Sequence, residues 1–184
     1  MNQLFVNFGN LITDEILSKL IKIINEWADE TDEEEFKEFT ILNYTEIVNT
    51  VSNLPDHLVQ LIAYIFGEYS LTLSNGNDDE IESNIKLLEF LLEKQYDQDK
   101  TKVMILTAML KIHLNLEFKG YEFITGIMEF FSSSKNVEIQ QKANEYLRMK
   151  KFNLFKAKEF VSNSSTRDLI IDPKQIGRAS CRER

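Results

Sequence analysis

Apolar residues in this chain fall at three- and four-residue spacings almost from end to end. Such spacing gives a 3.6-residue helix one continuous apolar face, whereas a half-buried strand needs alternation with period two. No stretch alternates strictly between turn signals, so strands are not expected and the chain reads as all-α. With 43% apolar and 28% charged residues but only six Gly and two Pro, a disordered chain is excluded. The longest apolar runs, such as LLEFLL over 87–92, are cut by charge far short of the roughly 20 residues that span a bilayer. Residues 1–5 show no basic segment leading into a long apolar one, so the chain reads as intracellular.

A first helix is expected over 13–28: Thr13 caps it, Asp14 and Glu15 suit its positive end, and Ile16, Leu17, Leu20, Ile21, Ile24 and Trp27 form the inward stripe. The acidic run Asp29, Glu30, Asp32, Glu33, Glu34 and Glu35 then reads as a solvated linker or, alternatively, as a docking patch for a basic partner. A second helix over 36–53, with Phe39, Leu42, Ile47, Val48 and Val51 inward, must stop before Pro55, because the residue preceding proline avoids helical geometry. The third, over 57–70, carries Leu58, Leu61, Ile62, Ile65 and Phe66 and runs out at the turn-rich stretch 74–79, where Asp78 or Asp79 caps the next. Helix four (79–95, with Ile81, Ile85, Leu88, Phe90 and Leu92) and helix five (99–116, with Val103, Leu106, Met109, Leu110 and Ile112) are apolar on more than one face and therefore need neighbours on two sides. Helix six (118–132) is rich in Phe118, Tyr121, Phe123, Ile127, Phe130 and Phe131; after a linker at 132–136, helix seven spans 137–150 and a shorter eighth 152–162.

Taken in pairs, these helices form units that start near 13, 57, 99 and 137, about 44, 42 and 38 residues apart. HEAT and armadillo arrays repeat every 40 to 47 residues or so, each helix pair burying its apolar face only by stacking on the next. An α-solenoid of HEAT/armadillo-like helix pairs is therefore the expected fold, with a closed helical bundle as its competitor.

Catalytic chemistry is thinly represented. His57 and His113 are the only histidines, the single cysteine is Cys181, and no metal-ligand spacing, phosphate-binding lysine loop or nucleophile elbow occurs, so no catalytic residue, cofactor or metal is expected. The oxygens around Gly76 lack the spacing of a calcium loop and read as a turn. Net charge is −9, unfavourable for nucleic acid, and it is uneven: residues 1–100 carry 21 acids and 6 bases, the remainder 9 acids and 15 bases. Within the basic half, Arg148, Lys150, Lys151, Lys156 and Lys158 form a candidate contact for a protein partner or anionic lipid, although cations at a helix C-terminus also complement its dipole. Residues 176–184 read like one frame of a sequencing adapter and are set aside from fold reasoning, so that 1–175 is taken as part of a longer protein continuing past about Gln175.

Three ordered segments resemble the large adaptin chains of vesicle adaptor complexes. The stretch LVQLIAYIFGEYS over 58–70 is similar to the adaptin helix that ends in Gly-Glu-Tyr or Gly-Glu-Phe. MILTAMLK over 104–111 resembles the helix with a Thr-Ala-x-x-Lys core, and VEIQQKANEYL over 137–147 the segment around Glu-Leu-Gln-Gln-Arg-Ala-x-Glu-Tyr. The likeness covers about 40–150 and leans to the gamma, alpha and epsilon group rather than the beta chains, with Gly67-Glu68-Tyr69-Ser70 and the Leu54-Pro55 break leaning towards the epsilon chain of the fourth adaptor complex. Departures are Ala63-Tyr64, where the family often has a tryptophan nearby, and the acidic insertion at 29–38.

The resemblance implies a non-enzymatic trunk fragment of a coat subunit. Its partners would be a beta-type large chain, a medium chain and a small chain, assembled peripherally on Golgi or endosomal membranes to sort cargo. A fragment of such a trunk is expected to expose apolar end faces. Two rivals share parts of this reading: a nuclear-transport or phosphatase-scaffold solenoid, which has the same period, and a helical enzyme, which would need His57, His113 and carboxylates gathered in one pocket.

Overall fold

A computed structural model describes residues 12–30, 33–73 and 78–152, and these are helical apart from short connections. The helices are α1 (Asp14–Glu30), α2 (Glu33–Thr50), α3 (Asp56–Leu73), α4 (Asp78–Leu92), α5 (Asp99–Asn115), α6 (Glu122–Phe131) and α7 (Val137–Lys151). Thr13 caps α1 as expected; Asp78 and Asp79 lie within the first turn of α4 rather than at a cap, and α7 is capped from the linker residue before it. Thr13 Oγ1 accepts the Ile16 N–H at 3.4 Å, and Asn136 caps α7 by accepting the Ile139 N–H at 3.0 Å. Pro55 stands between α2 and α3. The expected eighth helix, Lys156, Lys158 and the 176–184 tail lie outside the described residues.

Several expectations are corrected. The acidic run is mostly helix rather than linker: α1 continues to Glu30 and α2 starts at Glu33, placing Glu34 and Glu35 in a first turn, where carboxylates complement the helix dipole. On α1, Leu17, Leu20, Ile21 and Ile24 are buried as expected, with Ala28, but Ile16 and Trp27 are about half exposed. On α2 the inward face is Ile41, Tyr44 and Val48 together with Lys37 and Thr40, while Phe39 and Leu42 point outward at 66% and 61% exposure. Apolar residues surround most of the α2 circumference, so periodicity alone does not select a face. On α4, Ile81, Ile85, Leu88, Leu91 and Leu92 are buried but Phe90 is exposed, so this helix has one buried face rather than several. It also ends at Leu92 rather than 95, where the Tyr96 hydroxyl takes up the Leu91 carbonyl at 2.6 Å.

Helix six begins at Glu122, four residues later than expected, for a local reason. The Glu117 N–H donates to the Leu114 carbonyl at 3.0 Å and the Phe118 N–H to the His113 carbonyl at 2.8 Å. These two bonds are the Schellman arrangement that closes a helix C-terminus, with Glu117 in the left-handed position that glycine usually takes (φ 57°). Phe118, Gly120 and Tyr121 are also left-handed. Each non-glycine residue in that region costs roughly 1–2 kcal/mol, offset at Phe118 by burial of its ring against His113 and Tyr146 at centroid distances of 5.4 and 5.6 Å.

The helices form two layers. Helix α3 packs on both α1 and α5, and α5 on both α3 and α7, while α2 and α4 cover this stack and α6 packs on α7. Surrounded in this way, α3 buries every residue from His57 to Phe66 and α5 every residue from Val103 to Leu114, which is what the multi-faced apolar pattern of α5 required. Several hydrogen-bonded pairs between successive units join residues 37 to 45 positions apart: Asp99 with Asn136, Asn25 with Tyr64, Asp56 with Gln98, Glu68 with Lys111, Asp78 with Tyr121, Asp56 with Thr101. Asp14 with His57, Asp56 with Gln98 and Asp99 with Asn136 join the starts of successive helices, and Glu68 with Lys111 joins points late in α3 and α5, so α1, α3, α5 and α7 run parallel. The repeat inferred from the sequence is thus written into the tertiary contacts, and the fold is an α-solenoid rather than a closed bundle.

Candidate interaction surfaces

At the N-terminal ends of the stacked helices a polar seam crosses repeat boundaries. Asp56, in the first turn of α3, accepts the Gln98 N–H at 2.8 Å and the Thr101 hydroxyl at 2.9 Å, so the start of α5 is capped by the preceding repeat while the Gln98 side chain makes no cap of its own. Buried Gln60 donates to Thr101 Oγ1 and to Gln98 Oε1, both at 3.0 Å. Asn136 extends the seam to Asp99 at 2.6 Å. At its other end, Asp14 lies 3.3 Å from His57 Nε2 and 3.1 Å from Lys100 Nζ. Burial pushes the Asp14 carboxyl up, but the hydrogen bonds and charges of Lys100 and His57 together outweigh it and hold the carboxyl below its ordinary value.

Nearer the opposite ends, α3 and α5 touch at Gly67. A Cβ there would stand 3.0 Å from Ala108 Cα and 3.1 Å from Ala108 Cβ, so the absence of a side chain sets the approach of the two helices. Beside it the buried Lys111 ammonium pairs with Glu68. One repeat further, His113 is fully buried, its Nδ1 2.7 Å from the Tyr146 hydroxyl, which also lies 3.1 Å from Thr125 Oγ1. Burial pushes the Tyr146 phenol up to about 12 and, with the nearby charge of Lys150, pushes the His113 imidazole below its ordinary range. His57 and His113 therefore sit in different repeats, each bound to a structural neighbour: His57 to Asp14 and His113 to Tyr146. Among the described residues no group of His, Cys, Asp and Glu could hold a metal ion, and no helix is long and apolar enough to cross a membrane.

The predicted basic cluster is only partly free. Arg148 and Lys151 are exposed in the last turn of α7. Lys150 instead turns back onto α6, with Nζ 2.6 Å from Glu122 Oε2 and 2.7 Å from Thr125 Oγ1. Sequence reasoning missed the cross-repeat partners Asp56 and Thr101, the Lys111–Glu68 pair and Tyr146; the one signal for them was a polar residue inside an apolar helix with a hydrogen-bonding residue about forty positions on. Two grooves separate the covering helices. The one between α2 and α4, about 430 Å³, is polar, lined by Asn49, Asp79, Glu82, Ser83 and Lys86 among others; the one between α4 and α6, about 490 Å³, is largely apolar. Ile16, Ile23 and Trp27 of α1 and Phe39 and Leu42 of α2 are exposed apolar side chains of the first unit.

The adaptin N-terminal region matches residues 2–152, a span that includes all seven helices among the described residues. The chain belongs to the adaptin family. This adaptin is similar to AP-4 complex subunit epsilon-1 of Mus musculus, at 24% identity over 147 residues that make up 79% of this chain and 13% of that one. It is also similar to AP-1 complex subunit gamma-like 2, at 27% over 146 residues in Mus musculus (75% of this chain, 17% of that one) and 32% over 110 residues in Homo sapiens (56% and 14%). The matched stretch of this adaptin thus spans less than a fifth of the length of these relatives. No solved structure gives a significant match.

Proposed function

We propose that this adaptin is a non-catalytic subunit of a heterotetrameric adaptor complex in vesicle-mediated intracellular protein transport. The observation that carries the reading is the adaptin match over 2–152, lying on a stacked scaffold whose polar clusters bind repeat to repeat. A solenoid of this kind presents extended surfaces to several partners and needs no reacting groups. In this reading residues 1–175 are a stretch of trunk, and the partners are a beta-type large chain, a medium chain and a small chain. The assembly acts peripherally on Golgi or endosomal membranes.

Relatives named as epsilon and gamma-like chains support the gamma, alpha and epsilon group, and within it we favour the epsilon chain of the fourth adaptor complex on Gly67-Glu68-Tyr69-Ser70. For the basic cluster we propose a partner or lipid contact through Arg148 and Lys151 with Lys156 and Lys158. Lys150, occupied by Glu122 and Thr125, is left to hold α7 on α6.

Gentle purification of the tagged native protein from its own cells, with the co-purifying chains identified and their stoichiometry measured, tests the reading. Equimolar recovery of a beta-type, a medium and a small chain is the expected result, and the medium chain recovered identifies the complex. Recovery of nuclear-transport receptors or phosphatase subunits in their place would overturn it.

A further inference from the structure

The groove between α4 and α6 combines three features that internal packing does not account for. It is lined by Leu92, Ile127, Phe130 and Phe131, and Phe130 is 74% exposed. Gly126 also lines it, in the interior of α6, where a Cβ would meet nothing within 4 Å. Gly67 lacks a side chain because α5 lies against it; Gly126 has no such neighbour, and its backbone is not left-handed. Glycine inside a helix is unfavourable, so at this position it leaves an open notch beside two phenylalanines.

Charge supplies the third feature. Glu89, in the last turn of α4, and Glu93, just past its end, line the groove opposite a single cation, Lys102. Among the described residues neither glutamate makes an ion pair or a side-chain hydrogen bond, whereas Glu82 in the preceding groove is held by Lys86 at 2.6 Å. That preceding groove is also polar, so an apolar, acid-edged groove is not a general consequence of the two-layer stack.

We propose that the α4–α6 groove receives a short amphipathic segment of another protein, seating an aliphatic side chain over Gly126 against Ile127, Phe130 and Phe131 and setting a Lys or Arg against Glu89 and Glu93. Laying the apolar face of a helix into a groove is a general recognition mode, and the charge at the edge selects among apolar partners. The proposal rests on the groove alone and stands or falls separately from the adaptor reading.

The test is fluorescence anisotropy on the purified full chain with two labelled helical peptides. Both carry leucines along one face; one has arginines flanking that face and the other has glutamates. The arginine peptide is expected to bind at least about tenfold tighter, a discrimination of about 1.4 kcal/mol. The Glu89→Lys, Glu93→Lys double variant is expected to reverse the preference. Gly126→Leu, which fills the notch, is expected to weaken the arginine peptide at least about tenfold while keeping the helical circular dichroism and not lowering the unfolding midpoint, since leucine is the better helix former. Equal affinity for both peptides, binding of neither, or unchanged binding by Gly126→Leu would overturn the proposal. So would a concentration-dependent dimer in sedimentation that Gly126→Leu abolishes, because the groove would then belong to a second copy.

Discussion

Two glycine-to-alanine changes separate helix propensity from helix packing in this adaptin. Both Gly67 and Gly126 lie inside helices, so each alanine should gain about 1 kcal/mol from propensity and from a less flexible unfolded chain. At Gly126 the new methyl meets nothing within 4 Å, and the whole gain is realised. At Gly67 it meets Ala108 Cα at 3.0 Å, a backbone atom that moves only if α3 and α5 separate, and Ala108 Cβ at 3.1 Å. Inserting a methyl group into such a contact typically costs 1–3 kcal/mol. Gly67→Ala should therefore be between neutral and about 2 kcal/mol destabilised, and the two variants should differ by about 1–3 kcal/mol. In a chain of this size each kcal/mol moves the thermal midpoint by roughly 2–4 °C. Urea denaturation of the two variants beside the parent measures the difference directly. If Gly67→Ala is stabilised as much as Gly126→Ala, the close approach of α3 and α5 does not constrain the stack and the reasoning fails.

Glu117→Gly should stabilise the chain by about 0.5–1 kcal/mol, because the Schellman position at φ 57° disfavours a side chain and glycine's greater freedom when unfolded returns part of the gain; thermal unfolding reads this out. Asp56→Ala removes the acceptor for both the Gln98 N–H and the Thr101 hydroxyl and should cost about 1–3 kcal/mol by urea denaturation, with faster hydrogen exchange at the start of α5 as its local signature. Burial holds the His113 imidazole below its ordinary 6.5, so the unfolded chain takes a proton that the folded chain refuses. Its contribution to stability is full above that value and is lost as pH falls below it. Denaturant titrations at stepped pH should show that decline, with a shallower slope in His113→Gln.

Much of the fold is legible in local sequence. Pro55, the Asn136 cap, the Thr13 cap and the three- and four-residue spacing concern residues within one turn of each other, and they place the helices and their repeat of about forty residues without any tertiary information. The three adaptin-like strings are local in the same sense, and the family they pointed to is the one that matches 2–152.

What only tertiary structure decided depends on residues one repeat away. Spacing shows that Phe39 and Leu42 share a face and that Ile41, Tyr44 and Val48 share another, but α3 lies against the second. Lys150 belongs to a basic cluster by sequence, yet Glu122 and Thr125, twenty-eight and twenty-five positions earlier, claim its ammonium. Gly67 and Gly126 are the same residue in the same kind of element. One has the backbone of Ala108 against it and the other faces open space, a difference set by how α5 and α4 pack rather than by the glycines' own neighbours in the chain. Periodicity records which side chains travel together around a helix; which of them are buried depends on where the next helix comes to rest.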